Sequence, residues 1–195
     1  FATVVYTAAT TDPTTPNLTV LNLIPNTSYY FRAGTLNWDN AKNYVYTPAT
    51  STLANAPIQT AFTLQTTDQM RVNWQPNLNP ADTLYRVRFS SNSDILTPIV
   101  YSSNTRNTFA SFVGLEPNTT YYSEVTAVNR LNMPEGPYTF TAMATLAFLP
   151  DASFSGIGVS SLTLNWARGE NPPATPITGL KFPPVRFSPR FCCPP

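Results

Sequence analysis

Short runs of alternating apolar and polar residues cover most of the chain. Three of these runs lie near its middle, and their apolar faces consist of Met70, Val72 and Trp74, of Tyr85, Val87 and Phe89, and of Tyr121, Val125 and Ala127. Because neighbouring side chains of a β-strand point to opposite faces of a sheet, each run predicts a strand with one buried face.

Turn-forming residues separate the predicted strands. Clusters that contain Pro, Asn, Asp or Gly occupy 75–77, 79–82, 116–118 and 134–137. Such clusters favour turns, because Pro fixes φ near its turn value while Asn and Gly accept positive φ. About seven short strands in roughly ninety residues is typical of a β-sandwich. The pattern therefore predicts an all-β chain.

Two unrelated motifs recur at the same displacement along the chain. The motif at 23–30, Leu-Ile-Pro-Asn-Thr-Ser-Tyr-Tyr, returns at 115–122 as Leu-Glu-Pro-Asn-Thr-Thr-Tyr-Tyr. The motif at 70–74 returns at 162–166, and both pairs are 92 residues apart. A shared period for different motifs indicates a tandem repeat of one structural unit.

The ordered motifs resemble the fibronectin type III module. The resemblance rests on the Trp that ends the second strand, on Tyr-x-Val-x-Phe in the third strand, and on Leu-x-Pro-Asn-Thr-x-Tyr further along. It implies tandem immunoglobulin-like β-sandwiches with Greek-key connections and seven strands per complete module. It also implies a structural core that includes Trp74, Trp166, Tyr29, Tyr121, Leu115, Val72, Val87 and Val125. Tyr29 and Tyr121 match the family's tyrosine corner, whose hydroxyl is expected to bond to nearby backbone.

Aligning the copies on the family's strand order divides the chain into four parts. We expect 1–54 to be the C-terminal part of one module, 55–147 a complete module, and 148–182 the N-terminal part of a third. Its last predicted strand is 177–182. Residues 183–195 are expected to be a Pro-rich tail outside the modules. The chain is thus expected to be a piece of a longer array.

Composition narrows the possible partners. Only 11% of the residues are charged and the formal net charge is +1, so no field steers the chain toward nucleic acid or an anionic membrane. No apolar run approaches the ~20 residues that span a bilayer, so membrane insertion is not expected. The only cysteines, Cys192 and Cys193, are neighbours, which rules out a disulfide between the sheets.

Catalytic chemistry has little support in the sequence. With no His in the chain, a Ser-His-Asp or Cys-His apparatus and an imidazole metal site are impossible. Paired carboxylates could still hydrolyse glycosides, but Glu116 corresponds to Ile24 and Glu124 to Arg32 in the earlier copy. We therefore interpret both acids as solvated surface residues, and we expect no catalytic residue, no cofactor and no metal.

Trp38 is the most distinctive residue of a predicted loop, because its counterpart in the next copy is Arg130. An exposed Trp could stack on a sugar or anchor a protein partner together with Tyr44 and Tyr46. Alternatively, Trp38 packs against the fold or a neighbouring module.

Two classes of function follow from these features. The first is a non-catalytic spacer or adhesion repeat of a larger extracellular, bacterial protein, whose partners are the neighbouring modules. The second is a carbohydrate- or protein-binding accessory module attached to a polysaccharide-degrading enzyme.

Overall fold

The computed structural model describes residues 6–12, 14, 17–95, 101–167 and 169–173. Their regular secondary structure consists of strands: β1 (Ser28–Tyr29), β2 (Arg32–Leu36), β3 (Lys42–Tyr46), β4 (Thr50–Ser51), β5 (Ile58–Gln59), β6 (Gln69–Gln75), β7 (Leu84–Ser90), β8 (Tyr101–Thr105), β9 (Phe109–Val113), β10 (Thr120–Val128), β11 (Tyr138–Thr139), β12 (Met143–Ala144), β13 (Asp151–Ser155) and β14 (Thr163–Ala167). The chain divides into two compact units, Phe1–Leu146 and Ala147–Pro195. The predicted strand 177–182 and the tail 183–195 lie outside the described residues.

Strands β5 to β12 form the β-sandwich that the sequence predicts. One sheet has the order β5-β6-β9, and the other has the order β8-β7-β10-β11, with β12 also paired to β10. All pairs are antiparallel. Since β11 and β12 both follow one edge of β10, they are two parts of one interrupted strand, and the sandwich has seven strands. The predicted all-β fold class is confirmed.

The period-two pattern decides which side chains fill the space between the sheets. In β6 the buried positions are Met70, Val72 and Trp74, and the positions between them are only partly buried. Phe89 of β7 stacks on Phe112 of β9, with ring centroids 4.4 Å apart. Burial of a large apolar side chain contributes about 1.5–3 kcal/mol, so these rings hold the two sheets together.

The described residues before the sandwich contain a hairpin with little cover. Strand β2 pairs with β3, and β1 pairs with β4 in continuation of the same hairpin. All positions of β2 and β3 are exposed. The hairpin occupies the sequence positions that correspond to β10 and the strand after it in the sandwich.

The second unit contains one described hairpin, β13 with β14. Its register places Ala152 opposite Trp166, as Gln59 lies opposite Trp74 in the sandwich. The prediction that Trp166 is a core residue is wrong for the described residues, because its side chain is 48% exposed. No second sheet covers this hairpin in the described part of the unit.

Candidate interaction surfaces

A tyrosine corner forms twice in the first unit. The Glu116 N–H donates to the Tyr121 hydroxyl oxygen at 2.9 Å, and the Ile24 N–H donates to that of Tyr29 at the same distance. Tyr121 is 2% exposed, whereas Tyr29 is half-buried. Burial raises the pKa of Tyr121 above its ordinary value of 10.0, since the low dielectric disfavours the phenolate.

A threonine closes each corner in the same way. The Thr145 hydroxyl donates to the Glu116 carbonyl at 2.6 Å, and the Thr52 hydroxyl donates to the Ile24 carbonyl at 2.8 Å. Each threonine hydroxyl also accepts a backbone N–H at 3.0 Å, from Thr119 and Thr27 respectively. The repeat in the sequence is therefore also a repeat in hydrogen bonding.

The other core residues named from the sequence lie inside the sandwich. Trp74 is 3% exposed, and its ring packs edge-on against Tyr85 at 5.4 Å between centroids. The remaining members are at most 5% exposed, and they are Val72, Val87, Leu115 and Val125. These side chains support the fold and reach no surface at which a ligand could bind.

Trp38 lies at the tip of the β2–β3 hairpin. The Asn37 side-chain oxygen accepts the N–H groups of Asp39 and Ala41 at 3.0 and 2.8 Å, and this turn holds Trp38 outward. The Trp38 side chain is fully exposed. The sandwich builds the same turn with Asn129, whose side chain accepts two backbone N–H groups at 2.9 and 3.0 Å.

Tyr44 and Tyr46 lie two residues apart on β3, the strand that follows the Trp38 turn. The Tyr44 ring covers Gly34 on the paired strand, where an added Cβ would lie 2.5 Å from that ring. The Arg32 guanidinium lies 4.4 Å from the centre of the same ring, a cation–π distance. Tyr46 is 61% exposed.

The sequence interpretation of Glu124 as a solvated residue is wrong. Its side chain is only 8% exposed and forms an ion pair with Arg88, which lies opposite it on β7. The antiparallel register places the two residues side by side, so the Arg side chain covers the carboxylate. Glu116, by contrast, is exposed.

The outer face of this sheet carries a shallow, open groove. Arg86, Arg88, Glu124 and Glu135 lie along it. Arg88 and Glu124 are paired with each other, and Arg86 donates to the Asn132 side chain at 3.1 Å. The described residues contain no group of three or more His, Cys, Asp or Glu side chains that could hold a metal ion.

Comparison with protein families identifies the central part of the chain. Residues 55–141 match the model of the fibronectin type III domain. This segment, with its three- and four-stranded sheets and its tyrosine corner, belongs to the fibronectin type III family. Domains of this family are generally structural or adhesive and typically non-catalytic.

Several solved structures are similar to this chain. A computationally redesigned β-sandwich is 24% identical, with 50% of this chain and 95% of that chain covered and a TM-score of 0.41. The fifth fibronectin domain of Drosophila Lar is 16% identical over 49% of this chain and all of the other, with a TM-score of 0.37. Domains d3–d4 of the rat CD45 extracellular region are 16% identical over 71% and 77%, with a TM-score of 0.41. Comparison with curated proteins found no match.

The described residues include no helix with the length and apolar character that a bilayer-spanning segment needs.

Proposed function

We propose that this chain supplies non-catalytic spacer or adhesion repeats to a larger extracellular protein, with 1–54 and 148–182 as parts of neighbouring modules. The Thr- and Asn-rich, cysteine-poor composition supports a bacterial cell-surface setting. The proposal depends mainly on one observation, the way in which the sandwich binds the linker at its own N-terminal end, residues 55 and 56.

That linker is held by side-chain amides. The Asn79 side chain accepts the Asn55 N–H at 2.8 Å and donates to the Asn55 carbonyl at 2.7 Å. The Asn77 side chain donates to the Ala56 carbonyl at 2.8 Å. One side-chain amide thus binds both the N–H and the carbonyl of Asn55 and fixes the backbone at that residue, so the linker cannot swing freely.

The same bond pair occurs in the second unit. The Asn171 side chain accepts the Phe148 N–H at 2.7 Å and donates to the Phe148 carbonyl at 2.9 Å. Asn79 and Asn171 are one repeat apart. A linker that is bound in each copy supports a role in which the modules keep a set separation.

A binding function is the second candidate, and the exposure of Trp38 favours it. A fully exposed indole at a hairpin tip is available to stack on a sugar ring or to enter a partner's pocket. Against this, Arg130 occupies the equivalent position in the sandwich and contacts the preceding segment. We therefore favour the spacer function and treat an accessory module of a polysaccharide-degrading enzyme as the alternative.

A glycan array and a polysaccharide pull-down with the full chain separate the two functions. We expect no saturable binding. The matched variants are Trp38→Ala and Tyr138→Ala, because both remove an exposed aromatic ring. Saturable binding that only Trp38→Ala abolishes would contradict the spacer proposal and support the accessory module.

A further inference from the structure

The Pro-Asn-Thr turn of the first segment is inserted into the loop end of the sandwich. Asn26, at the centre of this turn, is 2% exposed. Its side-chain amide donates to the Thr83 hydroxyl at 2.8 Å, in a buried hydrogen bond between residues 57 positions apart. Thr83 itself is 1% exposed. Both side chains are therefore buried where the first segment meets the sandwich.

Arg130 binds the backbone of the same turn. Its Nε donates to the Asn26 carbonyl at 3.3 Å, and its terminal nitrogen pairs with the Asp82 carboxylate at 2.7 Å. The Arg130–Asp82 pair is partly exposed, so it contributes little stability by itself. Its effect is to hold the guanidinium where it meets Asn26.

The shape of the inserted turn is a property of the repeat. Asn26 has a φ of 47°, and its N–H donates to the Leu53 carbonyl at 2.9 Å. Asn118 has a φ of 45°, and its N–H donates to the Leu146 carbonyl at 3.1 Å. Asn is one of the few residues besides Gly that accept this conformation readily. Each copy therefore presents the same Pro-Asn-Thr turn beside its last strand.

The loop that contacts the inserted turn, residues 79–83, also recurs in the sequence repeat. The sequence Asn-Pro-x-x-Thr at 79–83 returns at 171–175. Its first residue binds the linker in both copies, as described above, and its last residue in the sandwich is Thr83. The motif thus combines linker binding with turn binding within five residues.

We propose that Asp82, Thr83 and Arg130 form a docking surface for the Pro-Asn-Thr turn of a preceding fibronectin type III module. This surface fixes the direction in which that module leaves the sandwich. The inference deepens the proposed spacer function and rests on it, since it identifies the residues that make the joint stiff.

The joint can be tested by spin labelling of the full chain. Thr50→Cys places one label on exposed β4, and Asn107→Cys places the other on the exposed β8–β9 turn. Cys192 and Cys193 are replaced by Ser to avoid further labelling. Double electron–electron resonance then reports the distribution of distances between the two segments, and we expect one narrow peak.

Two variants remove the contact from opposite sides. Thr83→Val keeps the side-chain shape but removes the oxygen that accepts the Asn26 amide, and Arg130→Gln removes the guanidinium from an exposed position. We expect each to broaden the distance distribution about twofold, because an unpaired buried amide favours an open joint. Thr139→Val is the matched control, since it makes the same change on exposed β11 and should leave the width unchanged.

The proposal is overturned if both joint variants give the width of the unaltered chain. Circular dichroism melting of each variant shows that the sandwich is still folded, and Arg130→Gln is informative even if Thr83→Val melts early. If the joint proposal fails, the result of the glycan array is unaffected. Glycan binding through Trp38 would contradict the spacer function, but it would not change the width of the distance distribution.

Discussion

The β2–β3 hairpin of the first segment and the β10–β11 hairpin of the sandwich have the same local hydrogen bonds but very different burial. Tyr29 and Tyr121 both accept a backbone N–H at 2.9 Å. Val125 in β10 is fully buried, while its counterpart Ala33 in β2 is exposed. The tyrosine bond joins residues only five positions apart and forms in both hairpins, whereas burial needs a second sheet. Local sequence therefore sets the corner, and the opposite sheet makes it a core.

The two Trp residues in the N-terminal strands of their modules show the same dependence of burial on a second sheet. Trp74 and Trp166 have equivalent neighbours in register. Within the described residues, Trp74 alone has a sheet across from it, and its exposure is 3% against 48% for Trp166. The comparison predicts that equal substitutions in the two regions will have unequal costs.

The largest difference should appear when the regions are expressed separately. We expect residues 55–147 to unfold cooperatively in denaturant, and residues 1–54 to show no sharp transition. A sandwich is stable only when each sheet covers the other's apolar face, and every position of β2 and β3 is exposed. A two-state transition of monomeric 1–54 would show that the predicted module boundaries are wrong.

Truncation of the two Trp side chains is the next test. Trp74→Ala should lower the free energy of unfolding by about 3–5 kcal/mol, because it leaves a cavity between the sheets. Trp166→Ala should cost less than about 1 kcal/mol, since the ring is half exposed. Denaturant unfolding of the full chain, followed by circular dichroism, measures both. Equal losses would mean that Trp166 also lies in a core.

Removal of the corner hydroxyls should have a smaller effect. Tyr121→Phe leaves the Glu116 N–H without its acceptor and should cost about 1–3 kcal/mol. Tyr29→Phe exposes the Ile24 N–H to water and should cost less than about 1 kcal/mol. The same unfolding experiment decides the order of the two variants. A larger loss for Tyr29→Phe would contradict the difference in burial.

Alkaline pH should weaken the sandwich through Tyr121. Its pKa in the folded state is raised by burial above 10.0, so the folded protein binds the proton more tightly than the unfolded chain. Its stabilising effect is fully present below pH 10 and is lost as the pH rises through the folded pKa. Melting temperatures at pH 8 and pH 11 should therefore fall less for Tyr121→Phe than for the unaltered chain. Tyr85, whose pKa burial also raises, remains in both and keeps part of the effect.

Much of the sandwich could be predicted from the sequence because its strands alternate cleanly. Met70, Val72 and Trp74 reveal their buried face by spacing alone. The bond between the Tyr121 hydroxyl and the Glu116 N–H was predictable because both groups lie within one short motif. The exposure of Trp166 could not be predicted in this way. Period-two alternation shows which face of a strand is apolar, but it does not show whether a second sheet lies opposite that face.

The joint at Asn26 and the Glu124–Arg88 pair were missed for a different reason. Each brings together residues from separate elements, and neither partner stands out by itself. Comparison of the two copies suggested that Glu124 was a solvated surface residue, although its partner Arg88 lies directly across the β7–β10 ladder. The recurrence of Asn-Pro-x-x-Thr at 79–83 and 171–175 was the one signal in the sequence that could have drawn attention to the joint.

The smallest effect is expected at the residue that looks most functional. Trp38→Ala should change the free energy of unfolding by less than about 0.5 kcal/mol, because the indole is fully exposed and the turn around it depends on Asn37. Arg130→Ala is the matched change at the equivalent position of the sandwich, and it should cost more because it removes the contact to Asn26. Chemical denaturation of both variants gives the order. If Trp38→Ala proved the more costly of the two, Trp38 would have a packing partner in the folded chain, and its assignment to an open hairpin tip would have to be abandoned.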